Sequence, residues 1–226
     1  MPRPGNGDFT VQQSREQPTG PAMFAAIEGA TGAGKTTLAT RLAERLGAAV
    51  ALDPFDQNPF LPGYHQTAHE RRDRVALPME MGFLALRVGA LRGIARHLSQ
   101  ASSVVADWAL IKSRAFAALT LSAADAGLFF QTLDLWAAGL PEPDLIVHLR
   151  ADAQTLAARV RGRGRGIEKN LTETELARQD GLFAAIFARA GLNVVTVDAA
   201  AFDVFSDRDM TALTARLLRA CRREAA

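Results

Sequence analysis

An α/β domain with a five-stranded parallel sheet and helices on both faces is the architecture that these 226 residues predict. Short apolar runs alternate along the chain with helix-periodic segments, the pattern of strands joined by crossover helices. The run at 144–149 is nearly continuous in apolar residues, as a strand covered on both faces should be. Between the first such run and the first helical segment stands a glycine-rich loop, Gly29-Ala30-Thr31-Gly32-Ala33-Gly34-Lys35-Thr36-Thr37.

Residues 1–20 hold Gly, Pro, Gln and Ser without an apolar stretch, so they read as a disordered tail rather than a secretory signal. Residues 21–226 then form one domain. Its first strand is the apolar run 22–27, and helical periodicity follows from 37 to 46. A second strand spans 48–52. Pro54, Pro59 and Pro62 keep 53–63 irregular. Residues 68–99 read as a long helix with a break possible at Pro78, because proline removes a hydrogen bond inside a helix. A third strand, 103–106, ends at Asp107. A helical stretch at 114–138 is stopped by Gly139 and Pro141. The fourth strand, helices at 152–161 and 172–190, a fifth strand at 193–197 and a helix near 208–222 complete the order.

The loop carries the clearest chemistry. Gly29, Gly34, Lys35 and Thr36 fit G-x-x-x-x-G-K-[ST], the phosphate-binding loop of nucleoside-triphosphate enzymes. A polyphosphate needs several backbone N–H groups converging on one point, and glycines let the backbone close around it. Lys35 would reach the terminal phosphates, and the Thr36 hydroxyl would meet Mg²⁺. In a parallel sheet the carboxyl ends of the strands face one crevice, so Asp53 and Asp107 should share it with the loop. Asp53 is placed to take a proton from an acceptor hydroxyl. Asp107 suits a Mg²⁺ carboxylate, a job Glu28 could share. Arg159, Arg161, Arg163 and Arg165 are interleaved with Gly162, Gly164 and Gly166. That segment, about 161–168, reads as a mobile lid that brings positive charge onto a transferring phosphoryl group.

Composition narrows the class. The chain is 48% hydrophobic and 22% charged with a net charge of +2, so no basic surface points to a nucleic-acid polymer. Its single cysteine, Cys221, permits no internal disulfide and fits a reducing, cytoplasmic setting. No run approaches the roughly 20 apolar residues of a membrane-spanning helix. A GTPase is disfavoured because no N-K-x-D segment is present.

Taken together, the motifs resemble the deoxynucleoside kinase family of P-loop kinases, in particular its bacterial deoxyadenosine/deoxyguanosine kinase-like branch. Ile27 to Thr37 reproduces the family's I-E-G-x-x-G-A-G-K-[ST]-T, and Asp53-Pro54-Phe55 is similar to its catalytic E-P-V segment. Asn58-Pro59-Phe60-Leu61 is the branch's N-P-F-L, and Phe83-Leu84 with Arg87 matches F-L-x-x-R in the substrate-binding helix. The stretch from Val104 through Asp107 and Lys112 to Phe116-Ala117 resembles V-V-x-D-(aromatic)-x-x-x-K-x-x-x-F-A, and 143–147 resembles P-D-L-V-I. Arg159, Arg163, Gly164, Arg165 and Glu168 match the lid R-I-x-x-R-G-R-x-x-E. The resemblance implies ATP and Mg²⁺, with lid arginines on the ATP phosphates and Glu168 on the sugar 3′-hydroxyl. It also implies a nucleoside-like acceptor phosphorylated at its 5′-hydroxyl, and a homodimer through the long helices.

Departures from the family pattern gather in the acceptor pocket. Trp108 follows Asp107 where many members have arginine, and it joins the substrate-binding set. Glu80 stands where a base-pairing glutamine is expected, Ser113 where an acidic partner of the helix arginine is expected, and His65, beside Tyr64, where a sugar-binding tyrosine is expected. The segment after N-P-F-L is about four residues longer than usual. Ionised glutamate only accepts hydrogen bonds, which suits guanine N1–H and N2–H, so a purine-like acceptor is favoured. Arg87, seven residues along the same helix face, is the expected partner of the Glu80 carboxylate. Two alternatives stay open at this point: a kinase of the same fold acting on a non-nucleoside hydroxyl, and a nucleotide-binding regulator without catalysis.

Overall fold

The structure, a computed structural model, describes residues 22–67, 71–164, 168, 171–189 and 191–224. The expected tail at 1–20 and the lid residue Arg165 lie outside them. Five strands form one parallel sheet: β1 (Phe24–Gly29), β2 (Ala49–Ala51), β3 (Val104–Ala106), β4 (Leu145–Arg150) and β5 (Val194–Asp198), in the spatial order β2-β3-β1-β4-β5. β1 lies at the centre, with Ala26 in register with Ala106 of β3 on one side and Ile146 of β4 on the other. Every residue of β1 is buried.

Alternation along β1 sorts the two faces, because successive side chains leave a strand on opposite sides. Ala25 and Ile27 pack with Leu38 and Leu42 of α1 (Lys35–Leu46), Leu156 of α6 (Ala153–Arg163) and Leu213 of α8 (Asp207–Glu224). Phe24 turns the other way, onto Leu91 and Ile94 of α3 (Asp73–Ser99), and Ala26 onto Phe183 of α7 (Glu173–Arg189). Both faces are therefore covered by helices, as the continuous apolar strands require.

Three segments differ from the sequence expectation. α3 runs unbroken through Pro78. The one hydrogen bond lost there is offset by the burial of Ala76, Met79 and Leu84 around it. The 114–138 stretch is two helices, α4 (Ile111–Thr120) and α5 (Ala123–Ala137), because Ser122 takes extended backbone and caps α5 by accepting from the Asp125 N–H. The proline-rich stretch is less irregular than expected. It contains a 3-10 turn, Phe55–Gln57, and the short helix α2 (Leu61–Gln66), which Pro62 suits because its missing N–H falls in the first turn. Asn58 fastens this segment to α3 by donating to the Met79 carbonyl at 2.9 Å. Gly82 makes that approach possible, since a Cβ there would stand 2.8 Å from Asn58 Oδ1.

Candidate active site

The loop from β1 to α1 is held by backbone conformation. Gly29, Gly32 and Gly34 take φ of +147°, +87° and +98°, values open to glycine and strained for other residues. A Cβ on Gly29 would lie 2.3 Å from the Leu149 carbonyl oxygen, and one on Gly32 2.8 Å from that of Leu156. The loop is thus pressed against β4 and α6, with the N-terminus of α1 closing it, the arrangement that holds a phosphate chain. Gln179 of α7 accepts from the Thr31 N–H at 3.0 Å and pins the outer edge. Lys35 curls over the loop and donates to the Gly29 and Ala30 carbonyls, both at 2.8 Å. Burial, with the Lys112 charge nearby, lowers its pKa to about 8.

Asp107 and Asp53 stand at the ends of β3 and β2, as expected. Asp107 accepts from the Thr36 hydroxyl at 2.5 Å and, through its other oxygen, from the Asp53 N–H at 2.7 Å. A hydroxyl and a carboxylate side by side fit a hard divalent cation that draws its remaining ligands from phosphate and water. Among the described residues no cluster of three or more His, Cys, Asp or Glu offers a fuller cage.

The Asp53 carboxylate is gripped from two helices. Arg87 of α3 donates from Nε to Oδ1 at 3.1 Å and from Nη2 to Oδ2 at 3.0 Å, a two-pronged pair. Lys112, in the first turn of α4, donates to Oδ2 at 2.6 Å. Burial alone would raise this carboxyl, but the Arg87 and Lys112 charges override it and hold Asp53 well below the usual carboxylate range. Arg87 lies over the Phe83 ring at 4.8 Å and donates its remaining nitrogen to Ser113 at 2.9 Å. Ser113 therefore still receives the helix arginine, with Asp53 supplying the negative charge.

The expected Glu80–Arg87 pair is not formed. Seven helical residues separate the two by roughly 10 Å along the axis, and Arg87 is fully engaged by Asp53 and Ser113. Glu80 instead shares a 2.9 Å hydrogen bond between Oε1 and the hydroxyl of Thr120 on α4. Its Oε2 is buried with no partner among the described residues. Burial raises its pKa to about 7, only partly opposed by Thr120 and the charges of Arg87 and Lys112.

These groups line one cavity of about 370 Å³, with Lys35 and Thr36 on one wall and Glu80, Arg87, Tyr64 and His65 opposite. Tyr64 packs edge-on to His65 and under the Arg72 guanidinium. Arg163 and Glu168 of the lid segment also line it, paired with each other. Three expected site residues lie elsewhere. Trp108 is fully buried in the apolar cluster with Leu91 and Ile94. Glu28 is likewise fully buried and is not among the cavity-lining residues. Its Oε1 accepts from the Ala109 N–H at 2.7 Å, which fixes the turn into α4, while its Oε2 has no hydrogen-bond partner among the described residues. Arg159 braces the outside of the loop, donating to the Ala199 carbonyl at 2.7 Å and to that of Ala33 at 3.5 Å. Lys112, Thr120 and Gln179 were not assigned roles from sequence. Lys112 carried the one usable signal, its place in the matched stretch five residues after the strand-three carboxylate.

Comparison with known proteins agrees with this geometry. The family model "Deoxynucleoside kinase" matches residues 25–217. Deoxyguanosine kinase of Bacillus subtilis (strain 168) is 34% identical over 156 residues, 69% of this chain and 73% of that protein. Deoxyadenosine/deoxycytidine kinase of the same organism is 26% identical over 147 residues, 63% of this chain and 66% of that protein. Among solved structures, deoxyadenosine kinase from M. mycoides with bound dCTP superposes with a TM-score of 0.70 at 20% identity, covering 87% of this chain and 99% of that one. At that identity it shows the shared fold. With its matched family model, its loop and its strand-end carboxylates in one cavity, the chain belongs to the deoxynucleoside kinase family of phosphotransferases.

Proposed function

We propose that this chain transfers the γ-phosphate of Mg-ATP to the 5′-hydroxyl of a deoxynucleoside, purines preferred, with Asp53 as general base. The observation that supports it is the meeting of the glycine loop, the gripped Asp53 and the half-satisfied Glu80 around one 370 Å³ cavity. The loop amides, Lys35 and Thr36 would hold the phosphates and their Mg²⁺, with Asp107 beside them; the metal would neutralise charge on the β- and γ-oxygens. Arg163 and Arg165 would close on the transferring group, which requires Arg163 to leave Glu168. Asp53 stays ionised at all physiological pH and is oriented by Arg87. A weak base suffices, because the loose transition state asks for positioning more than for early proton removal.

The acceptor preference rests on Glu80. With a pKa of about 7 Glu80 is part-protonated near neutral pH, and guanine N1–H and N2–H would favour its ionised form, which offers only acceptors. The relative at 34% identity is a deoxyguanosine kinase. The test is phosphorylation of the four deoxynucleosides by Mg-ATP, read as a phosphate mass shift. Deoxyguanosine is expected first and deoxyadenosine second. Preference for deoxycytidine or thymidine would overturn the purine reading, and an inert enzyme the whole proposal. Exposed Leu128, Leu135 and Trp136 on α5 support a homodimer through the helices on that face; sedimentation at a monomer mass would contradict it. The long helix α3 offers less apolar surface to a partner, because its Leu84, Val88, Leu91 and Ile94 are buried within the chain.

A further inference from the structure

The cations around the reacting centre are not equally committed. Lys35 is bound to two loop carbonyls. Arg87 spends its three nitrogens on Asp53 and Ser113, and Arg163 is paired with Glu168. The Lys112 ammonium has one partner among the described residues, Oδ2 of Asp53 at 2.6 Å. It carries three N–H donors, so two remain for another group. It lines the same cavity as Lys35, Thr36 and Asp107, and its charge is felt directly at Lys35. Lys112 therefore stands between the base and the phosphate loop.

Its mounting is rigid. The turn from β3 into α4 is anchored by buried Trp108, by the Glu28 carboxylate on the Ala109 N–H at 2.7 Å, and by the Lys112 N–H on the Ala109 carbonyl at 3.0 Å. Neither Trp108 nor Glu28 reaches the cavity, and both hold the turn that presents Lys112 to it.

We propose that Lys112 is a catalytic residue whose ammonium rests on Asp53 before reaction and passes to the transferring phosphoryl oxygens as Asp53 takes the acceptor proton. The inference rests on the kinase reading above. In the step, the 5′-hydroxyl oxygen forms its bond to the γ-phosphorus, and its proton goes to Asp53 Oδ2. The bond from the γ-phosphorus to the bridging oxygen breaks, and ADP leaves with the electron pair. Lys112 keeps all its protons. Once Asp53 is neutral, its hold on the ammonium is lost, while the phosphoryl oxygens remain anionic. The cation is thus released toward the phosphoryl group when the base has done its work.

The experiment compares wild type with Lys112→Met, Lys112→Gln and Lys112→Arg, using Mg-ATP and the best acceptor of the deoxynucleoside panel. Removal of the charge is expected to lower kcat about 10²–10³-fold, the range seen when one preorganised electrostatic contact is lost. Both KM values should stay within about threefold, and arginine should restore about tenfold. Lys112→Gln, which keeps a donor toward Asp53, is read wherever Lys112→Met does not fold. A second measurement separates catalysis from mere positioning of Asp53: affinity for Mg-ADP with aluminium fluoride and the acceptor, by calorimetry, with Asp53 or with Asp53→Asn. Loss of Lys112 should weaken this complex about tenfold or more in both backgrounds, with Mg-ADP affinity unchanged. A loss confined to the Asp53 background, or a kcat within about threefold of wild type, overturns the proposal. Wild type inert toward every deoxynucleoside overturns the kinase reading, and this inference with it.

Discussion

The wall of the cavity made by Gly29–Thr37 and the wall made by α2, α3 and α4 are built of different material. The first is backbone: three glycines at positive φ, a lysine folded onto its own loop carbonyls, and a helix N-terminus. The second is side chain on side chain, with Arg87 and Lys112 on Asp53, Thr120 on Glu80, and Tyr64 against His65. A backbone site binds what every triphosphate shares. A side-chain site can be changed one residue at a time, and of the four residues that depart from the family pattern, Glu80, Ser113 and His65 lie on or beside that wall while Trp108 is buried away from it. On the proposed function the difference divides the labour: the loop would accept the donor, and the helices would choose the acceptor.

Mutations that breach each wall should fail in different ways. The largest effect is expected for Arg87→Leu, which leaves Asp53 buried beside Lys112 alone. Breaking a buried pair in this way costs about 3–5 kcal/mol, so chemical denaturation should show that loss and turnover should fall with it. Gly29→Ala, on the donor wall, should cost about 3 kcal/mol or more by forcing a Cβ into the Leu149 carbonyl. Gly34→Ala should cost only about 1–2 kcal/mol, because φ is +98° there but no atom lies within 4 Å of the added Cβ. Equal losses at the two glycines would show that φ strain alone, and not contact with β4, fixes the loop.

Smaller, and sharper on the acceptor wall, is the pH dependence at Glu80. Its pKa is about 7 in the fold against 4.5 for a free glutamate. The folded state therefore holds the proton more tightly. Stability is fully present below about 4.5 and declines as pH rises through about 7, by roughly 3 kcal/mol at most. Glu80→Gln should remove that decline, gaining stability at pH 8 and little at pH 4. Asp53 runs the other way. Its depressed pKa contributes stability above the ordinary aspartate range, which is lost as the solution becomes strongly acid. Thermal unfolding of wild type and Glu80→Gln across pH 4–8 checks the first sign, and extending the wild-type series down to about pH 2 checks the second.

How much of this was legible in the sequence follows the same division. The loop is contiguous, so Gly29, Gly34, Lys35 and Thr36 announce themselves by spacing. The strand ends at Asp53 and Asp107 follow from the order of apolar runs, and all five strands lie within a residue or two of their expected places. The acceptor wall depends on pairs distant in the chain: Arg87 with Asp53, Lys112 with Asp53 and Glu80 with Thr120, 34, 59 and 40 residues apart. Helical spacing suggested Glu80 with Arg87, whereas packing gave each a partner from a different element. Trp108 was misplaced for a local reason, since the chain turns after β3 and the two neighbours part there, Asp107 lining the cavity and Trp108 joining Leu91 and Ile94 in the core. Gln179, 148 residues from the loop amide it meets, left no local trace.

The claim that the helices choose the acceptor while the loop only holds the donor is tested most directly by kcat/KM for the four deoxynucleosides, with KM for ATP, in wild type and Glu80→Gln. The account predicts deoxyguanosine first in wild type, an advantage that falls about tenfold or more in Glu80→Gln when a carboxylate acceptor is lost, and a KM for ATP within about twofold. An unchanged acceptor order, or a change felt mainly in KM for ATP, would contradict it.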